Sequence, residues 1–204
     1  MSAVILLANR RSLKLLNLRP NWLPNSADEE TQAQMLMSNP PSHELWPVDQ
    51  NGQEPPTEVT PIRVMFFDTD AGGVVHNIAY LRFIETNRSL LAEKLGWPLG
   101  PMLLQQHCPV VVRTEIDYRH PGRLWDELVV RGQLEKFSRT RFWCAFTIVR
   151  PADQELLVTC RQMLVVVKLP ELKIMRLPAT WDTDFGFLRE TSGRSNKAGS
   201  PGRA

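Results

Sequence analysis

The sequence predicts an α+β fold, with one antiparallel sheet wrapped around one long central helix. Three observations carry this. An apolar stretch from Ile62 to Phe67 is followed by a long segment whose apolar residues recur at three- and four-residue steps. From Cys108 onward the period switches to two, and strands follow one another across short links. No repeated strand–helix alternation signals a parallel sheet.

Taken in order, residues 1–57 read as a disordered, Pro-rich extension. Pro20, Pro24, Pro40, Pro41, Pro47, Pro55 and Pro56 interrupt any periodicity, with Asn, Gln and Ser between them. Within it, Arg10, Arg11, Lys14 and Arg19 alternate with leucines and no acid. That pattern also fits an organellar targeting segment, or an upstream start with Met35 or Met37 as the true beginning. The folded body is expected over 58–190, starting near Val59, with Ile62 to Phe67 as first strand and Pro61 at its edge. A helix is expected from about Ile78 to Leu95, its buried stripe carried by Phe83, Ile84, Leu90, Leu91 and Leu95. Gly96 and Pro98 stop it, and Pro98 to Gln106 adds a helical turn.

Cys108 to Tyr118 alternates as a half-buried strand, with Val110, Val112, Thr114, Ile116 and Tyr118 on one face. Pro121-Gly122 closes it. Leu128 to Phe137, Thr140 to Arg150 and Leu156 to Leu169 follow as strands, and the short links imply antiparallel neighbours. Lys173 to Leu177 adds an edge. Residues 191–204, with three basic groups and no acid, are an expected disordered tail. Phe142 to Phe146 and Val165 to Val167 place apolar residues on both faces, which predicts a second subunit.

Composition excludes several classes. The net charge of +2 leaves 17 basic and 16 acidic groups in the body, which provides no phosphate-tracking face for nucleic acid. Cys108, Cys144 and Cys160 are odd in number and lack CxxC spacing, so they read as reduced structural thiols in a cytoplasmic setting, with no metal site. No apolar run approaches the ~20 residues that span a bilayer.

The chemistry concentrates in Asp68-Thr69-Asp70-Ala71-Gly72-Gly73-Val74-Val75, between an apolar strand and a helix. A calcium loop is excluded, because Gly72 replaces one ligand and Ala79 stands where a bidentate Glu is needed. A phosphatase of the strand-D-x-D-x-T type lacks its Thr at Gly72 and the alternating β/α chain. The second D-x-D, Asp182-Thr183-Asp184, has no apolar strand before it and reads as a solvated helix start. No GxSxG nucleophile elbow occurs.

DTDAGGVV, with Tyr80, Phe83, Glu85 and Arg88 after it, resembles the 4-hydroxybenzoyl-CoA thioesterase family of hot-dog-fold proteins, and within it the YbgC-like acyl-CoA thioesterases. The resemblance covers about residues 60 to 180 in element order. It implies a hot-dog fold, hydrolysis of acyl-CoA without a cofactor, a site between subunits of a homodimer or homotetramer, and Asp70 as the catalytic carboxylate. Gly72, Gly73, His76, Asn77 and Tyr80 are the expected substrate-binding residues. His76 and Asn77 depart from the family, which usually has Tyr and often His there.

The residue types suit this chemistry. A carboxylate attacks a thioester directly or deprotonates a water, and helix N-terminal amides hold the oxyanion. Glycines let backbone approach the substrate. Other readings stay open. Asp70 and Asp68 could each cap a turn, Glu85 and Arg88 pair with each other, and His43, His107 and His120 look isolated. Two rivals remain: a non-catalytic acyl-binding or assembly subunit, and a dehydratase using His76 and Glu85.

Overall fold

The computed structural model describes residues 52–190. The rest of the expected extension and the expected tail lie outside the described residues. The first described residues already belong to the fold: Pro55 is buried, and the Pro56 carbonyl accepts the Leu134 N–H at 3.1 Å. Strand β1 spans Thr57–Arg63, several residues earlier than expected. The apolar run that suggested a strand through Phe67 instead leaves the sheet after Val64. Val64 is fully buried, whereas Phe66 and Phe67 are 78% and 72% exposed in a 3-10 turn over Phe66–Asp68.

Helix α1 spans Asn77–Lys94, and Gly96 at φ +81° follows its C-cap, a conformation that favours glycine. Its buried stripe is Ala79, Tyr80, Phe83, Ile84, Asn87 and Leu91, and Leu90, expected inside, is exposed. The stripe instead carries a polar residue. Asn87 is fully buried, and its Nδ2 donates to the Glu58 carbonyl, Thr60 Oγ1 and the Val130 carbonyl at 3.0–3.1 Å. These bonds fasten the helix to β1 and to β3, which spans Glu127–Phe137. Close approach depends on Gly132 in β3. A Cβ there would sit 2.7 Å from the Phe146 ring and overlap Asn87 Oδ1.

A short helix, α2 (Leu99–Leu104), leads into β2 (His107–Tyr118). Strands β4 (Arg141–Arg150) and β5 (Glu155–Lys168) complete the main sheet, and β6 (Lys173–Ile174) extends beside β5. The strand order is β1-β3-β4-β5-β2, with every pairing antiparallel. Only the β3–β4 and β4–β5 links are the expected neighbour-to-neighbour hairpins. β2 does not pair with β3, but crosses to the far edge and pairs with β5. Its alternation is also interrupted by a bulge between Val111 and Arg113, which turns Val112 to solvent at 49% exposure while Val111 and Ile116 pack on the core.

The core lies between α1 and the inner sheet face, with Ile84, Leu91, Leu128, Val130, Leu134 and Ile148 at or near zero exposure. A short helix α3 (Thr180–Asp184) closes one end by burying Trp181 against Trp97, Phe137 and Phe142. Asp182 and Asp184 are exposed on it, as a solvated helix start requires. The three cysteines are free. Burial pushes the Cys144 and Cys160 thiols up to about 12, so both are inert at neutral pH.

Candidate active site

The D-x-D stretch separates its two carboxylates. Asp68 is buried at 2% exposure. Its Oδ2 accepts the Met65 N–H at 2.9 Å, its Oδ1 pairs with Arg82 of α1, and its carbonyl accepts the His76 N–H at 2.8 Å. With both oxygens committed, Asp68 ties turn to helix.

Asp70 is exposed and opens a tight turn. Its carbonyl accepts the Gly73 N–H at 3.0 Å, and its N–H donates to the Val74 carbonyl at 2.9 Å. Gly73 sits at φ +72°, where a side chain would be strained. The Gly72 N–H donates to Asp70 Oδ1 at 2.8 Å, an Asx-type turn that fixes the carboxylate. Among the described residues no donor meets Oδ2. The turn-capping and the reactive readings of Asp70 are therefore compatible, one oxygen serving each.

Helix α1 starts against this turn. His76 is its N-cap, and its Nδ1 accepts the Ile78 N–H at 3.1 Å. A neutral ring in this arrangement carries its proton on Nε2. Asn77 Oδ1 also accepts the Ile78 N–H, and the Ala79 N–H is taken by the His76 carbonyl. Among the described residues, the Asn77 N–H has no hydrogen-bond partner.

An open cleft of about 390 Å³ lies here, lined by Asp70, His76, Asn77 and Tyr80 on one side and by Tyr118 to Pro121 on the other. The fold thus brings together four of the expected site residues. Gly72 and Gly73 shape the turn beside the cleft and are not among its lining residues. Tyr80 is buried, and its hydroxyl accepts the Gly122 N–H at 2.7 Å. Burial raises its pKa above the usual phenol value, so it stays protonated at neutral pH.

The far wall was not anticipated from the sequence. Tyr118, Arg119 and His120 come from the end of β2, which only the crossover to the sheet edge brings opposite Asp70. His120 is not isolated: its Nε2 meets Glu155 Oε1 at 2.9 Å. The Pro121-Gly122 turn was the available signal, since a strand ending there must face some loop. Glu85 lies outside the lining and pairs with Arg88 at 3.4 Å, while Arg88 donates to Gln162 Oε1. The His76–Glu85 dehydratase pair is thereby dispersed. No cluster suited to a metal ion occurs among the described residues.

Comparison with known proteins matches this architecture. A family model described as the thioesterase-like superfamily matches residues 64–185. The acyl-CoA thioester hydrolase YbgC of Escherichia coli is 28% identical over 125 residues, which is 61% of this chain and 92% of that protein. The 1,4-dihydroxy-2-naphthoyl-CoA hydrolase of Synechocystis is 28% identical over 122 residues, 59% of this chain and 88% of that one. The crystal structure of a 1,4-dihydroxy-2-naphthoyl-CoA thioesterase from Synechocystis superposes with a TM-score of 0.57 at 26% identity, covering 62% of this chain and 93% of its own. The neighbours are hot-dog-fold thioesterases, and the curled antiparallel sheet holding a central helix is that fold. A matched segment that contains the Asp70 turn, the capped helix and the whole main sheet after β1 leaves one assignment: the chain belongs to the thioesterase-like superfamily.

Proposed function

We propose that this chain hydrolyses acyl-CoA thioesters to the free acid and CoA, with Asp70 as the catalytic carboxylate. The observation that carries the reading is the division of labour within Asp70. Oδ1 is fixed by the Gly72 N–H, and Oδ2 is left without a donor at the edge of a cleft. Oδ2 either attacks the thioester carbon, giving a mixed anhydride that water opens, or removes a proton from the attacking water. Each route expels CoA as a thiolate, a leaving group that needs no strong general acid.

The oxyanion donor is the Asn77 N–H, the first amide of an 18-residue helix and one without an intrahelical partner. His76 holds the helix start and lines the cleft. Tyr80 holds the wall by accepting the Gly122 N–H. No residue in the set calls for a cofactor.

The active unit is a homodimer or homotetramer in the cytoplasm. β2 is twelve residues long and is hydrogen-bonded to β5 alone, with Val112, Leu103 and Leu104 exposed along or beside it. Long unpaired edges are rarely left to solvent. Free, buried thiols suit a reducing compartment, and among the described residues no helix is long and apolar enough to cross a membrane.

Free-thiol release from a panel of acyl-CoAs tests the reaction. Turnover of at least one member is expected. Silence across short, long and aromatic acyl groups would favour the non-catalytic acyl-binding reading.

A further inference from the structure

The loop after β2, Arg119-His120-Pro121-Gly122-Arg123, carries three basic side chains in five residues and forms one wall of the cleft. It is held firmly. The Arg119 and His120 N–H groups both donate to the Leu157 carbonyl, the Gly122 carbonyl accepts the Val75 N–H at 2.8 Å, and the Gly122 N–H reaches Tyr80. Arg123 is bridged to Val74, whose carbonyl accepts the Asp70 N–H. The loop is therefore built onto the Asp70 turn itself.

Its charges divide unequally. His120 is paired with Glu155. Arg119 and Arg123 are exposed, and among the described residues neither guanidinium has an ion-pair partner. The nearby carboxylates are committed elsewhere: Asp126 Oδ2 serves Arg150 and the Arg123 N–H, and Asp153 serves Arg150. Two uncompensated guanidiniums on a rigid loop beside an open cleft suit an anion carried by the part of a substrate outside it. Guanidinium forks match phosphate oxygens.

We infer that Arg119 and Arg123 form the subsite for the phosphate groups of CoA, fixing the carrier at the cleft mouth while the thioester carbon reaches Asp70. This rests on the acyl-CoA reading, and it adds that the chain recognises the carrier as well as the acyl group. A pantetheine thioester without nucleotide phosphates would lose this hold.

The test is equilibrium binding of desulfo-CoA, which carries the phosphates and cannot be hydrolysed, to the full chain and to the double variant Arg119→Ala/Arg123→Ala. The dissociation constant should rise about tenfold, the scale of one or two charge-assisted contacts at an exposed rim, and its dependence on salt should flatten. In turnover, the preference for an acyl-CoA over the same acyl group on N-acetylcysteamine should fall by a similar factor. A dissociation constant and a preference that both move less than about twofold overturn the subsite. Because desulfo-CoA binding needs no chemistry, a chain that binds it through these arginines yet releases no thiol upholds the subsite and sinks only the hydrolase reading.

Discussion

Asp68 and Asp70 stand two residues apart and do opposite work, because their neighbours differ. Asp68 spends both oxygens on Met65 and Arg82 inside the protein, and Asp70 spends one on Gly72 at the surface. Asp68→Asn places an amide N–H against either the Met65 N–H or the guanidinium. It should cost about 1–3 kcal/mol of stability by chemical denaturation, the scale of a mispaired buried group. A variant as stable as the parent would mean that Asp68 is not the tie between turn and helix. The sequence pointed to this division, since D-x-D before a glycine pair leaves one acid at a strand end and one in a turn. It could not disclose His120 or Tyr118, whose place in the cleft depends on a strand crossing to the opposite edge.

At the scale of elements, the seat of α1 on the sheet decides where the cleft lies. The helix approaches β3 over Gly132 and is fastened by Asn87. Gly132→Ala should destabilise by about 1–3 kcal/mol through overpacking, read as a lower thermal midpoint. A shift below ~0.5 kcal/mol would show that the helix has room to move. Helix spacing placed α1 within a residue of its observed ends, because period and glycine stop are local signals. Asn87 escaped notice because a polar residue on an apolar stripe is legible only once its acceptors on β1 and β3 are known. The β2 bulge escaped for a similar reason, since an alternating run gives no sign of where register slips. Phe66 and Phe67 misled in the other direction: apolar type suggested strand, but Asp68 closes a turn beneath them.

Across the whole molecule, the fold was legible from the order of its periods, one long helix and then a run of strands. The sheet order was not, because the β2–β5 pairing is a long-range choice that neighbouring residues do not encode. Domain limits follow from the first packed contacts. Deleting residues 1–51 should leave the thermal midpoint nearly unchanged, whereas deletion through residue 56 removes buried Pro55 and the Pro56 acceptor of Leu134 and should lower it. Equal midpoints for the two truncations would show that these contacts add nothing. Assembly belongs to this scale too: sedimentation at micromolar concentration should give a dimer or tetramer, and a monomeric mass would leave the β2 edge unexplained.

The most direct test of the central assignment compares Asp70→Asn with the parent in thiol release from an acyl-CoA that the parent hydrolyses. Asparagine keeps the Oδ1 acceptor for Gly72 and removes the charge on which attack or proton removal depends. Turnover should fall by at least about 10²-fold, while the helical and sheet signals and desulfo-CoA binding persist. Thiol release by Asp70→Asn at close to the parental rate would contradict the account.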